Sequence, residues 1–194
     1  MNTIDRIHKQ SKRRRLSINL NADVLQKLIA RPCHYCGGNE NVRLDRIDSN
    51  CNTYSLESAV PCCRNCNYAK NILSINTFLR QIQAIYLYQQ THVWQGVPVY
   101  TSRNPSYGRF CREARERNLR NELSETEWRL LLANNCVYCG FPRANGIDRM
   151  DNGRGYEQDN VQSCCWTCNQ MKHVQSYSQF LSMINAIISH IFFS

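Results

Sequence analysis

Apolar and polar positions along the chain follow one plan twice. Phe78, Ile82 and Ile85, and later Phe180, Ile184 and Ile187, recur at helical spacing and predict a closing helix in each half with its apolar stripe turned to a core. Upstream, Val24, Leu25 and Leu28 form the face of a short helix that Asn21 can cap. Trp128, Leu130 and Leu131 form its counterpart, opened by the capping-box pattern Ser124-Glu125-Thr126-Glu127. Basic stretches precede both short helices, Lys9 to Arg15 and Arg103 to Arg120, and are expected to be helical arms. Between the short and the closing helices the periodicity gives way to cysteine pairs, a short segment through Asp-Arg, and a loop.

Register of the two halves shows an internal duplication. Cys33-His34-Tyr35-Cys36-Gly37 matches Cys136-Val137-Tyr138-Cys139-Gly140, and Leu44-Asp45-Arg46-Ile47-Asp48 matches Ile147-Asp148-Arg149-Met150-Asp151. Tyr54 matches Tyr156, Cys62-Cys63-Arg64-Asn65-Cys66-Asn67 matches Cys164-Cys165-Trp166-Thr167-Cys168-Asn169, and Lys70 matches Lys172. Two copies are too few for a solenoid, so the chain reads as a pseudo-dimer in one polypeptide. The fold class expected is α+β, a tandem duplication of a small unit flanked by helices. The first repeat is placed at 1–88 and the second at 107–194, with a linker at 89–106 that holds Gly96, Pro98 and Pro105.

Twelve cysteines in 194 residues need an explanation. Met1–Arg15 has no apolar h-region of a signal peptide, and no apolar run approaches the length of a membrane span. An intracellular setting (cytoplasm, nucleoid or nucleus) is therefore expected, neither secreted nor membrane-bound, and there paired cysteines point to metal before disulfides. Each copy offers two CxxC pairs, the donor set of a tetrahedral zinc site. Cys33, Cys36, Cys63 and Cys66 are assigned to one zinc ion, and Cys136, Cys139, Cys165 and Cys168 to another. Four thiolates leave no open position, so both ions are expected to be structural. Each half is small enough that such a staple is the usual remedy for a marginal core. Cys62 and Cys164 read as small buried residues, and Cys51 and Cys111 carry no assigned role.

The ordered set of CxxC, (Ile/Leu)-Asp-Arg-x-Asp, Gly-Tyr, Cys-x-x-Cys-Asn-x-x-Lys and a Phe-bearing helix resembles HNH nucleases of the ββα-metal (His-Me finger) superfamily. The resemblance is to a zinc-knuckle branch, similar to endonuclease VII-like proteins, in which Asp-Arg stands for the common Asp-His. It spans roughly 16–85 and 119–188. It implies a Mg²⁺-dependent phosphodiesterase in which Asp45 with Asn67, and Asp148 with Asn169, hold a catalytic divalent ion. A hard ion with one carboxylate and one amide oxygen keeps positions for water and substrate phosphate, and it can stabilise the charge on the phosphorane and the leaving oxygen. Arg46 and Arg149 occupy the place of the usual base but cannot accept a proton. They are expected to clamp phosphate, or alternatively to bridge to Asp48 and Asp151. Tyr156 and Tyr54 hold matching loop positions and can serve as base if nearby cations and metal lower their pKa; Tyr156 is favoured, with His173 as rival. Both copies are expected to be competent, the variant being a first copy kept only for docking.

Charge agrees with such a partner: 24 Lys and Arg against 15 Asp and Glu, a net +9. Arg13, Arg14 and Arg15 in one arm and Arg112, Arg115 and Arg117 in the other are expected to touch phosphates, with Lys70 and Lys172 adding contacts beside the metal. The expected partner is double-stranded DNA, cut one strand per repeat by a monomer. The alternative is a zinc-ribbon protein, derived from a nuclease fold, that binds DNA or RNA without cutting.

Overall fold

The computed structural model describes residues 3–97 and 106–193. The fold is α+β, and it repeats. The first copy runs α1 (Thr3–Arg14), β1 (Ser17–Ile18), α2 (Ala22–Ile29), β2 (Val42–Arg46), β3 (Thr53–Tyr54), β4 (Ala59–Cys63), α3 (Arg64–Lys70) and α4 (Ile75–Thr91). The second runs α5 (Tyr107–Glu116), α6 (Glu125–Ala133), β5 (Ile147–Arg149), a 3-10 turn at Gln158–Asn160, β6 (Val161–Ser163), α7 (Trp166–Lys172) and α8 (Tyr177–Phe192). Among the described residues no helix is long and apolar enough to cross a membrane.

The centre of each copy is an antiparallel strand pair followed at once by a short helix. β2 pairs with β4, so that Asp45 lies opposite Val60, and β5 pairs with β6, so that Asp148 lies opposite Gln162. Both short helices are capped by a cysteine: the sulfurs of Cys63 and Cys165 accept from the backbone N–H of Cys66 and Cys168. A second pairing holds the tyrosine loop. β1 runs parallel to β3 with Ile18 opposite Tyr54, and in the second copy Asn121 bridges Tyr156 in the same sense. That bridge brings two backbones close at Gly155, where an added Cβ would lie 2.3 Å from the Arg120 carbonyl oxygen and 2.9 Å from Arg120 Cβ. Gly155→Ala is therefore expected to cost about 1–3 kcal/mol, as overpacking does, read as a lowered urea midpoint. Gly153→Ala, whose Cβ would meet only the movable Asp151 side chain at 3.2 Å, is the matched control with the smaller loss.

Helix starts follow the capping residues. Asn21 accepts from Val24 N–H, and Ser124 with Glu127 forms the full reciprocal capping box. In α2, Leu25 and Leu28 are buried with Ile7, Leu44, Tyr54 and Ala59. In α6 the buried face is Trp128 with Leu131 and Leu132 packed behind it, beside Ala114, Leu123, Ile147 and Tyr156. Leu130, expected on that face, is exposed instead. The i, i+3, i+4 spacing from Trp128 selects 131 and 132 and turns 130 outward.

Two compact units divide the chain: 1–80 with 185–194, and 81–184. The division falls inside both closing helices. Residues 75–80 of α4 go with the first unit and 81–91 with the second, while α8 contributes 177–184 to the second unit and its end to the first. Within the second unit, Gln89 Nε2 donates to the carbonyls of Val137 and Tyr138 at 2.9 Å each, and Gln81 Nε2 donates to Cys168 Sγ. Of the expected linker 89–106, residues 89–91 end α4, and 98–105 lie outside the described residues, as do Arg103 and the start of the second basic arm.

Candidate metal centres and the adjoining aspartates

Both cysteine quartets assemble. In each, the four Sγ atoms lie within 4.8 Å of one another, and the measured Cys36–Cys63 and Cys139–Cys165 separations are 3.8 Å. Zinc–sulfur bonds of about 2.3 Å in a tetrahedron require sulfurs about 3.8 Å apart. A disulfide needs about 2.05 Å, and all twelve cysteines are free. The quartets therefore fit a metal ion such as zinc, with no position left for substrate.

Local backbone explains why four separate thiols converge. Each first knuckle turns through a glycine with positive φ, Gly37 at 70° and Gly140 at 73°, and their N–H groups donate back to Cys33 and Cys136 O. The second pair comes from the strand end and first turn of the following helix, whose N–H groups favour thiolate. Neighbouring thiols donating to Cys33 hold it far below the ordinary thiol range, with Cys36 the largest donor, whereas Cys66 is pushed far above it by sharing with Cys33. A bound cation replaces those shared protons. The second quartet is buried throughout, while Cys36 and Cys63 are half-buried. Cys62 and Cys164 are buried outside both quartets.

Next to each quartet stands the aspartate of the Asp-Arg pair, and its partners differ from those expected. Asp45 Oδ2 accepts from the Tyr35 phenol at 2.8 Å and pairs with Lys70 Nζ at 3.1 Å. Asp148 Oδ2 accepts from Tyr138 at 2.7 Å and from Gln162 Nε2 at 3.0 Å, and Oδ1 pairs with Lys172 Nζ at 3.0 Å. Both lysines are 0% exposed and also donate to the carbonyl of Arg46 or Arg149. The expectation that Lys70 and Lys172 reach phosphate is thereby corrected: each neutralises the buried carboxylate in its own unit. Desolvation first, and the adjacent carboxylate second, push the Tyr35 and Tyr138 phenols well above their ordinary range, so both remain donors.

Asn67 and Asn169 sit one residue after a quartet cysteine, half-buried. Their Nδ2 groups donate to the carbonyls of Leu44 (3.3 Å) and Ile147 (3.2 Å), and Asn67 Nδ2 also lies 3.5 Å from Asp45 Oδ1. Among the described residues that amide is the one hydrogen-bond partner of Asp45 Oδ1, whereas both oxygens of Asp148 carry firm donors. Val60 stands where the second unit has Gln162. For a divalent cation, the first unit thus offers one carboxylate oxygen, beside an Asn67 amide whose N–H side faces it and whose oxygen becomes a ligand only on rotation of the amide. The second unit does not fit one.

The remaining expected residues are turned to other tasks. Arg46 Nη1 donates to Cys51 O at 2.5 Å, and Arg149 donates to the carbonyls of Arg154 (2.5 Å) and Asn152 (3.1 Å). They organise the tyrosine loop. Asp48 and Asp151 instead accept from the N–H of Asn50 and Gly153. Tyr54 and Tyr156 are buried core residues. Burial, the largest effect, outweighs Arg46 and Arg14 and raises the Tyr54 phenol, opposite to what a general base requires. Tyr156 accepts from Arg117 Nη1 at 3.4 Å, with the Arg149 guanidinium 5.5 Å from its ring centre. His173 and Asn71 are the positive-φ caps of α7 and α3.

The basic arms are unequal. α1 carries Arg6, Lys9, Lys12, Arg13 and Arg14 against Asp5, with Arg15 just beyond its end. In α5, Arg109 pairs with Glu113 and Arg112 with Glu116, leaving Arg115 in the last turn.

No family model matches the chain, and no solved structure matches it. Over 168 residues it is 32% identical to the uncharacterized protein R423 of Acanthamoeba polyphaga mimivirus, which covers 81% of this chain and 31% of that relative. The chain thus spans about a third of the length of the curated relative it matches.

Tyr35, Tyr138, Lys70, Lys172 and Gln162 are site residues that spacing alone did not single out as partners of the aspartates. For the tyrosines a signal was present, since both first knuckles read Cys-x-Tyr-Cys.

Proposed function

We propose that the protein is a divalent-metal-dependent DNA endonuclease of the HNH type, with zinc in its two cysteine quartets and cleavage at the first unit. The observation that carries the reading is Asp45 Oδ1, which meets only the Asn67 amide, at 3.5 Å, directly beside a cysteine quartet that fixes Asn67 in sequence and space. Asp45 and Asn67 would hold a magnesium-like ion, which when bound supplies charge stabilisation to the phosphorane and the leaving oxygen. Tyr35 and Lys70 orient the carboxylate from its other oxygen. Arg46 anchors the loop through Cys51 O and the Tyr54 phenol, and a guanidinium N–H beyond those contacts would be the donor to a phosphate. Tyr54 closes the core beneath the loop and takes no proton. The second unit, with Asp148 sealed by three donors, serves as the structural half.

A second reading, nucleic-acid binding without cutting, is favoured by one observation. In both units a lysine ammonium already neutralises the aspartate, and Asn67 presents Nδ2, not Oδ1, to Asp45. Plasmid incubated with zinc-loaded protein separates the two. The endonuclease reading expects nicking with Mg²⁺ that EDTA stops, at least a hundredfold slower nicking by Asp45→Asn, and little change for Asn169→Ala. Absence of nicking leaves the binding reading, and equal nicking by Asp45→Asn overturns the assignment of cleavage to Asp45.

A further inference from the structure

The first unit has a concave surface between α1 and β2 with a volume of about 590 Å³, lined by Arg6, Lys9, Gln10, Lys12, Arg13 and Arg43. Five of those six side chains are cationic, and neither an acid nor an aromatic ring lines the wall. A smaller cavity shares Gln10 and Arg43 and continues past Arg14 to Leu44 and Tyr54. Arg43 lines both cavities, so the cationic wall is continuous from α1 onto β2.

Clustered like charges repel one another and are relieved by a polyanion. Arg6, Lys9 and Lys12 recur every three residues, so each rises about 4.5 Å along the helix beyond the last, a row suited to successive phosphates. A basic amphipathic helix can instead lie on a membrane, but that needs a free apolar face. In α1, Ile7 is buried and Ile4 is packed against the same core cluster. Single strands are held by aromatic stacking platforms, and this wall has none.

We propose that the α1–β2 concavity is the backbone-binding track for double-stranded DNA, contacting consecutive phosphates of one strand. The inference rests on the nucleic-acid partner of the function proposed above and is independent of whether that partner is cut. It also makes binding one-sided. The arms expected to be equivalent differ because Arg109 and Arg112 of α5 are offset by Glu113 and Glu116.

Fluorescence anisotropy of the full zinc-loaded chain, with a labelled 30-base-pair duplex and the matching single strand over a range of salt, tests the track. Arg6→Gln/Arg43→Gln is compared with Arg109→Gln/Arg129→Gln, which removes the same charge from ion-paired positions in the second unit. Each lost phosphate contact should flatten the log–log salt slope by about 0.9. The first variant is therefore expected to lose about two from the slope and at least tenfold in affinity at low salt, with metal content and melting temperature unchanged. The second is expected to bind as the parent does. Equal binding by Arg6→Gln/Arg43→Gln, an equal loss in the second variant, or tighter binding of the single strand overturns the proposal. Failure of the parent to nick DNA in Mg²⁺ overturns the endonuclease reading and leaves the track standing.

Discussion

Chelating the metal from the two cysteine quartets is expected to unfold the chain. A structural zinc site of four cysteines contributes about 10–16 kcal/mol of apparent binding free energy near neutral pH, whereas a whole domain is stable by about 5–15 kcal/mol. Loss of even one ion therefore exceeds what the small cores around Leu25 and Trp128 can hold alone. Elemental analysis should find two ions per chain, and Cys66→Ser should reduce that to about one. Far-ultraviolet circular dichroism should lose most of its helical signal on addition of a strong chelator and recover it with zinc. The pH dependence has a definite sign. The ligands bind as thiolates, so protons compete with the metal, and stability should fall as pH falls. Retention of the helical signal and of a cooperative melt in chelator would show that the quartets are not needed for folding.

The second large effect concerns the buried ion pair of the second unit. Lys172 is 0% exposed and the Asp148 side chain 2%, at 3.0 Å. Lys172→Met would strand a carboxylate that retains only the donors of Tyr138 and Gln162. Removing one partner of such a pair costs about 3–5 kcal/mol, a large share of a domain's stability, readable as a denaturant midpoint. Asp148→Leu combined with Lys172→Met should recover much of that loss, because the isolated charge disappears with its partner. Lys70→Met should cost less, since the Asp45 side chain is 10% exposed and water can reach it. A milder effect for Lys172→Met than for Lys70→Met would overturn this ordering.

That ordering bears on which repeat would cut under the function proposed above. By its letters the second copy matches the HNH pattern better, with Gly155 before Tyr156. Side-chain partners point the other way. Gln162 opposite Asp148 takes the place of Val60 opposite Asp45, and one extra amide donor closes the carboxylate. The difference lies in a cross-strand neighbour that is itself no motif letter, so reading motifs alone assigns it no weight.

Features governed by local periodicity and ligand spacing were legible before any coordinates: the duplication, the helix caps at Asn21 and Ser124, and the two sets of four cysteines. Caps act within three residues, and a CxxC knuckle brings its own two sulfurs together through one turn of backbone, while the repeated spacing of two such knuckles per copy marks which pairs share an ion. Which groups surround each aspartate was decided by packing. Tyr35 and Asn67 reach Asp45 from ten and 22 residues away, and Lys70 reaches it from the far end of α3. A lysine that reads as a surface cation becomes a buried counter-ion only when the helix carrying it docks on the strand pair. Burial and charge partnership depend on several elements arriving together, and so the fate of Lys70, Lys172, Tyr54 and Arg149 belongs to the tertiary structure.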